Sequence, residues 1–379
     1  KIGGIDAAAA KMAFGNRIGA EIKAEHPSAL DLGSILVEVK EPVEKENWIP
    51  VGTTTEDPVL RINEEEMPLE DAFKLWTSRY DSLYPRTVNE DAAAVVKTPL
   101  YTGEKTFSKV PVEKPVAVIP VFPGQNCEYD TAAQFERAGA EVHTIVFNNQ
   151  TVEDITRSID RLADEISKAQ ILMVVGGFSL GDEPDGSGKF IVNVLRNQKI
   201  AAAVEEMRAN DGLILGICNG FQALIKSGLL PYGDINAVSE DSPTLFRNDI
   251  NRHVSHIART RVTSNNSPWL QGMEPGDVHS VAISHGEGKF VCTEEMYQKM
   301  AEDGQIAFQY VNENGEPTMD GLDNRNGAFM AVEGIISEDG RILGKMGHSE
   351  RYEDGLFQNI SGNRKQNIFE NGVRFFTHK

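Results

Sequence analysis

From Val116 onward the chain alternates short apolar runs with longer amphipathic ones. "VAVIPVF" (116–122) predicts a buried strand, and "CEYDTAAQFERAG" a helix stopping at Gly139, a residue suited to a helix C-terminus. "EVHTIVF" (141–147) is the next strand, and "VEDITRSIDRLADEISKA" carries apolar residues at helical spacing. "ILMVVGG" (171–177) predicts a strand, "FIVNVLRNQKIAAAVEEMRA" (190–209) one long helix, "GLILGI" (212–217) a strand and "FQALIKSG" a helix closing at Gly228. Such alternation implies a parallel sheet covered on both faces, with its ligand at the carboxyl ends of the strands.

After about residue 255 strands dominate: "HIARTRVTS", "HSVAISHGEGKFV", "IAFQYV" and "FMAVEGIISEDGRILGKMGHSE", with "SEDGR" a hairpin turn. They are expected as strands added around the same sheet. The first 88 residues read differently. "AAAAKMAFGNRIGAEIKAE" predicts a helix, "ALDLGSILVEV" and "PVLRI" predict strands, and "PLEDAFKLWTSRYDSLY" an amphipathic helix with Pro68 near its start. This unit has a thin core. A polar, proline-containing stretch then predicts a linker over 89–113, which separates a domain at 1–88 from one at 114–379.

Composition narrows the function. A chain of 379 residues suggests two or three compact units, and 40% hydrophobic with 25% charged residues reads as a soluble globular protein. A net charge of −20 without a basic cluster argues against nucleic acid as a partner. No apolar run reaches the ~18 residues of a membrane span, and no signal peptide opens the chain, so no membrane partner is expected. Cys127, Cys218 and Cys292 are widely spaced with no CxxC pair, which predicts a reducing, cytoplasmic setting and no metal site. The opening Lys1-Ile2-Gly3-Gly4 lacks an initiator Met and reads as a cut made inside something longer.

The chemistry centres on "LILGICNG" (213–220), where a cysteine sits between two glycines after an apolar run. Strand, tight turn and helix are the context of a nucleophile elbow, and the adjoining helix N-terminus favours a thiolate. A buried cysteine packing as a small hydrophobe is the equal alternative at this point. A nucleophilic Cys218 needs a base. His348 ends a strand-like run with Glu350 two residues on, where strand geometry would put both on one face. The carboxylate would then hold the imidazole in the right tautomer. An isolated HxE reads instead as an exposed His and Glu at a strand end, and the pairing gains weight only from the upstream Cys218. The glycine-rich "VVGGFSLGDEPDGSGK" (174–189) supplies backbone donors for an oxyanion, with the amides of Gly177 and Asn219 as candidates. A phosphate-binding loop is excluded because Gly188-Lys189 is followed by Phe190.

Taken together, "GICNGFQ", "PGQNCEYD", "GGFSLGD", "ISHGEG" and "GHSE" resemble the triad-type (class I) glutamine amidotransferase domain of the phosphoribosylformylglycinamidine synthase family, over roughly residues 114–379. Residues 1 to about 88, through "HPSALDLGSILVEV" and "PVLRINEEEMPLEDAF", resemble the tail of that family's synthetase portion. The resemblance implies an α/β fold: a flavodoxin-like, doubly wound, mostly parallel sheet with added antiparallel strands, preceded by a small α+β fragment. It implies Cys218 as nucleophile, His348 as proton shuttle, Glu350 as its orienting carboxylate, and Gln222 as a contact to substrate glutamine. Ammonia would pass to the synthetase portion of the same enzyme. ATP and Mg²⁺ would serve that portion, with no cofactor in this one.

Other motifs stay open. Cys127 is expected to be structural and Cys292 core. His285 and Glu287 could line an ammonia exit or a contact with the synthetase portion, or be structural. The loop from Arg247 to His256, with Arg252 and His253, reads as solvated or as a docking contact. Two other functions remain: another elbow-cysteine hydrolase, such as a peptidase or gamma-glutamyl hydrolase, and a non-catalytic assembly module.

Overall fold

The structure is a computed structural model that describes residues 3–87, 95–182, 187–358 and 360–377. It divides into two units, Lys1–Arg86 with Asp354–Ser361, and Thr87–Glu353 with Gly362–Lys379.

The first unit comprises α1 (Gly4–Asn16), β1 (Gly19–Ile22), β2 (Gly52–Thr55), β3 (Val59–Ile62), β4 (Glu65–Pro68) and α2 (Leu69–Ser78). Its sheet runs β2-β1-β3-β4, with only β1 and β3 parallel. The helix expected to run through residue 25 stops at Asn16, because Arg17 turns left-handed at φ 55°. Gly19 then enters a strand so close to its neighbours that a Cβ would lie 1.9 Å from the Asp57 carbonyl oxygen. Residues 29–39, expected as a strand, form none. Leu30, Leu32, Ile35, Val37 and Val39 are exposed, and no neighbouring edge among the described residues takes up the backbone hydrogen bonds. The core is small, built on Ala9, Ala13, Ala20, Ile22, Leu60 and Leu69.

The second unit begins its sheet with β5 (Val116–Val121), α3 (Glu128–Ala138), β6 (Glu141–Val146), α4 (Val152–Lys168) and β7 (Ile171–Val174). After α5 (Lys189–Leu195) and α6 (Gln198–Ala209) come β8 (Leu213–Ile217), α7 (Asn219–Ser227) and the short α8 (Leu229–Tyr232). The expected single helix over 190–209 is two, α5 and α6. The Asn197 side chain accepts the Lys199 N–H at 3.0 Å, and a side chain bonding its own backbone this way starts a new helix rather than extending the old one.

The remainder carries β9 (Thr244–Phe246), β10 (Val254–Val262), β11 (Val278–His285), β12 (Lys289–Val291), α9 (Glu294–Glu302), β13 (Ile306–Tyr310), β14 (Val332–Ile336), β15 (Ile342–Lys345) and α10 (Ile368–Thr377). The nine-stranded sheet runs β11-β10-β13-β14-β15-β8-β7-β5-β6. The five strands β6-β5-β7-β8-β15 are mutually parallel, and their order is that of a flavodoxin-like sheet. Antiparallel pairings extend it through β14, β13, β10 and β11. The expected α/β architecture with added antiparallel strands is thus present. One detail differs: the run over 279–291 leaves the sheet at His285, and β12 pairs with β9 instead.

The central strands are buried on both faces: all of β7 and β8 is inaccessible to solvent. That is why they read as unbroken apolar runs. Residues 95–113, within the stretch expected as a linker, are strapped along this unit. Val96, Tyr101, Ser108 and Val112 donate their N–H groups to Pro317, Thr263, Phe375 and Phe376 at 2.8–3.1 Å.

Candidate active site

Cys218 leaves β8 and caps α7 with φ 54° and ψ −108°, a left-hand conformation that a side-chain-bearing residue adopts only at a cost of about 1–3 kcal/mol. The flanking glycines supply space rather than unusual dihedrals. A Cβ on Gly220 would lie 1.9 Å from the Val174 carbonyl oxygen, and one on Gly216 would meet Leu224 Cδ1 at 2.5 Å. The elbow is therefore real. The Cys218 N–H donates to the Lys345 carbonyl at 2.8 Å, and its Sγ lies 3.6 Å from the Ser284 carbonyl.

His348 is fixed by its own N–H donating to Ala282 at 2.8 Å. Its Nδ1 lies 2.5 Å from Glu350 Oε1. The pair forms across a 3₁₀ turn, Ser349–Arg351, and not along a strand face as expected. Nε2 is buried with no hydrogen-bond partner among the described residues. Imidazole and thiol flank one glycine: a Cβ on Gly176 would lie 3.1 Å from His348 Cε1 and 3.4 Å from Cys218 Cβ. Burial disfavours the imidazolium, yet the Glu350 carboxylate and the Cys218 thiol hold His348 well above the ordinary histidine range. Burial likewise opposes the Glu350 charge, and the imidazole outweighs it, leaving that carboxyl below its usual range. A base oriented by a carboxylate, with its far nitrogen free, is the arrangement that activates a thiol.

Gly177 packs on the Gln125 loop at φ 131°. Among the described residues neither its N–H nor that of Asn219 donates to a backbone carbonyl outside its own element. The Asn219 side chain organises the wall of the site. It accepts the Ser179 N–H and donates to Asp182 and Gln222 at 3.0 and 2.9 Å. Gln222 is held at both ends, donating onward to the Glu287 carbonyl at 2.6 Å. Glu287 in turn accepts from the N–H and hydroxyl of Ser187, with Arg247 at 4.0 Å. His285 is buried against Asn248 and pushed down to about 3 by burial. His253 borders the site, bonded to Ser284 and facing the Phe178 ring. The Arg252 carbonyl accepts from the Asn248 side chain at 3.1 Å, and His256 lies on β10. Cys292 packs against the core, its thiol pushed up to about 12 by burial.

Two features escaped the sequence. Cys127 Sγ lies 3.9 Å from His348 Nδ1 and 3.5 Å from Arg351 Nη2. Beneath the triad, Lys345 and Glu333 form a fully buried ion pair at 3.2 Å. Lys345 donates to the Gly347 carbonyl and Glu333 accepts the Gly347 N–H, so the pair sets the backbone just before His348. Opposite charges inside two apolar runs joined by a hairpin were the available signal.

Residues 114–376 match the CobB/CobQ-like glutamine amidotransferase domain. The phosphoribosylformylglycinamidine synthase subunit PurQ of Rhodopseudomonas palustris (strain BisB18) is 33% identical over 247 residues, 63% of this chain and 90% of that protein. The protein of the same name from Methanococcus maripaludis (strain DSM 14266) is 36% identical over 231 residues, 60% of this chain and 79% of its own. The structure of PurLQS from Thermotoga maritima aligns over 70% of this chain and 98% of the matched one, with 24% identity and a TM-score of 0.48. The matched span opens just before β5 and takes in elbow, imidazole and carboxylate alike, so the chain belongs to the CobB/CobQ-like glutamine amidotransferase family, together with the PurQ subunits.

Proposed function

We propose that this chain is the glutamine-hydrolysing part of phosphoribosylformylglycinamidine synthase, releasing ammonia for the ATP-dependent conversion of formylglycinamide ribonucleotide to its amidine in purine biosynthesis. The observation that carries this reading is the free Nε2 of His348 beside the Cys218 elbow, with Glu350 on the opposite nitrogen. Cys218 Sγ attacks the carboxamide carbon of glutamine as its proton passes to His348 Nε2. The N–H groups of Gly177 and Asn219 receive the oxyanion. Collapse expels ammonia, which takes the proton back from Nε2, and leaves a glutamyl thioester. Water, deprotonated by the same nitrogen, hydrolyses the thioester and returns the thiol. Glu350 keeps the hydrogen on Nδ1 throughout. Gln222 supports the glutamine site, and the family relationship to PurQ subunits supports a synthetase partner. ATP and Mg²⁺ belong to that partner's chemistry, and no residue here is assigned to them. Free thiols at all three cysteines suit a cytoplasmic setting.

The test is intact mass after incubation with a glutamine-like diazoketone, with Cys218→Ala alongside. An adduct on the parent chain and none on the variant is expected. A parent chain that takes no adduct while a generic alkylator still labels Cys218 overturns the reading in favour of an assembly module.

A further inference from the structure

Cys127, at the start of α3, and the His348–Glu350 pair, at the other end of the chain, meet on one side of a single imidazole ring. Cys127 Sγ is 3.9 Å and Glu350 Oε1 is 2.5 Å from His348 Nδ1. One ligand atom from each of the three residues falls within 4.8 Å of the other two, and all three residues are buried. Glu350 Oε2 is buried with no hydrogen-bond partner among the described residues. Arg351 Nη2 at 3.5 Å and Asn126 Oδ1 at 3.3 Å are the other polar groups on Cys127 Sγ. Cys218 stands outside this set, its sulfur contacting the Ser284 carbonyl.

Thiolate, imidazole and carboxylate together form a donor set for a borderline-soft divalent ion. Bond lengths of about 2.0–2.3 Å to such an ion bring neighbouring donor atoms to roughly 3–4 Å. The sulfur and Nδ1 already have that separation, and the carboxylate needs only to back away. We propose that Cys127, His348 and Glu350 form an inhibitory site for a divalent cation of the zinc class. The inhibitory consequence rests on the glutaminase reading, whereas the binding does not.

Binding forms bonds from the metal to Sγ, Nδ1 and a Glu350 oxygen. The Cys127 S–H gives up its proton to solvent, the ring hydrogen moves from Nδ1 to Nε2, and nothing is oxidised or reduced. A neutral imidazole metallated at Nδ1 carries its one hydrogen on Nε2. That nitrogen then has no lone pair with which to take the Cys218 proton, so the triad stops. The Arg351 guanidinium, 3.5 Å from the Cys127 sulfur, repels the bound cation, which keeps the metal exchangeable.

The test uses the full chain, stripped by chelator, with Co²⁺ as the probe. Bound metal per chain and the sulfur-to-cobalt charge-transfer band are measured in the parent, Cys127→Ser and Cys218→Ser, each with an intact cooperative unfolding transition. The parent and Cys218→Ser are expected to bind one Co²⁺ with the band. Cys127→Ser is expected to lose the band and bind at least about tenfold more weakly. In the parent, Zn²⁺ lowers glutamine hydrolysis and a chelator restores it. A band that survives in Cys127→Ser, a band lost in Cys218→Ser, or absence of binding in the parent overturns the proposal. A parent chain that binds Co²⁺ yet never hydrolyses glutamine upholds the site and counts against the glutaminase reading alone.

Discussion

Glu350 Oε1 sits 2.5 Å from His348 Nδ1, with only Ser349 between the two residues. A carboxylate held this close by a 3₁₀ turn dictates which ring nitrogen carries the hydrogen. Glu350→Gln leaves the shape but removes that control. Its kcat for glutamine hydrolysis is expected to fall by about 10²–10⁴, with diazoketone labelling of Cys218 slowed in parallel. Steady-state kinetics within tenfold of the parent would refute the orienting role.

Gly220 and Gly139 separate crowding from backbone strain. Alanine at Gly220 would place a Cβ 1.9 Å from the Val174 carbonyl, whereas Gly139, at φ 98°, has open space around it. Gly220→Ala should lose about 1–3 kcal/mol and most activity, because α7 must move away from β7 beside the thiol. Gly139→Ala should lose only about 1 kcal/mol and keep its kcat. Urea unfolding and turnover on both variants check this, and similar activity losses would contradict it.

The buried Lys345–Glu333 pair predicts an asymmetric response. Glu333→Gln leaves an ammonium uncompensated where neither side chain is exposed, and such a loss costs about 3–5 kcal/mol. Replacing both, Glu333→Leu with Lys345→Met, is expected to recover much of the stability. It should not recover the activity, since Gly347 loses both of its side-chain anchors. A single variant costing under about 1 kcal/mol would show the pair to be dispensable.

Two histidines make the fold acid-sensitive. Burial pushes His285 down to about 3 and His279 down to about 4, while an unfolded histidine titrates near ~6.5. Between those values the unfolded chain binds protons that the folded chain refuses, so stability rises with pH across the window. It falls as pH drops from about 6.5 towards 4. Replacing both by Gln should flatten the dependence by roughly 1–3 kcal/mol per pH unit, read from urea titrations at several pH values. An unchanged slope would contradict the neutral, buried state of these rings.

Local signals made the elbow legible. An apolar run, a cysteine between glycines and an amphipathic helix all lie within one short stretch, and each demand is met by neighbours in sequence. The parallel half of the sheet was legible for the same reason. What escaped depends on partners far along the chain. Residues 29–39 alternate like a strand but lack an edge to pair with. Asn197 interrupts a helical pattern by bonding its own backbone. Lys345 and Glu333 meet only once β14 and β15 are side by side, and Cys127 meets His348 only through the sheet.

That dependence on distant partners gives the site an order in time. The Cys218 N–H is held by the carbonyl of Lys345, on a strand that slots in beside β8 from near the end of the chain. A ribosome therefore delivers the thiol long before it delivers the imidazole. Until β15 docks, the proposed nucleophile lacks both the carbonyl that holds it and the base proposed to arm it.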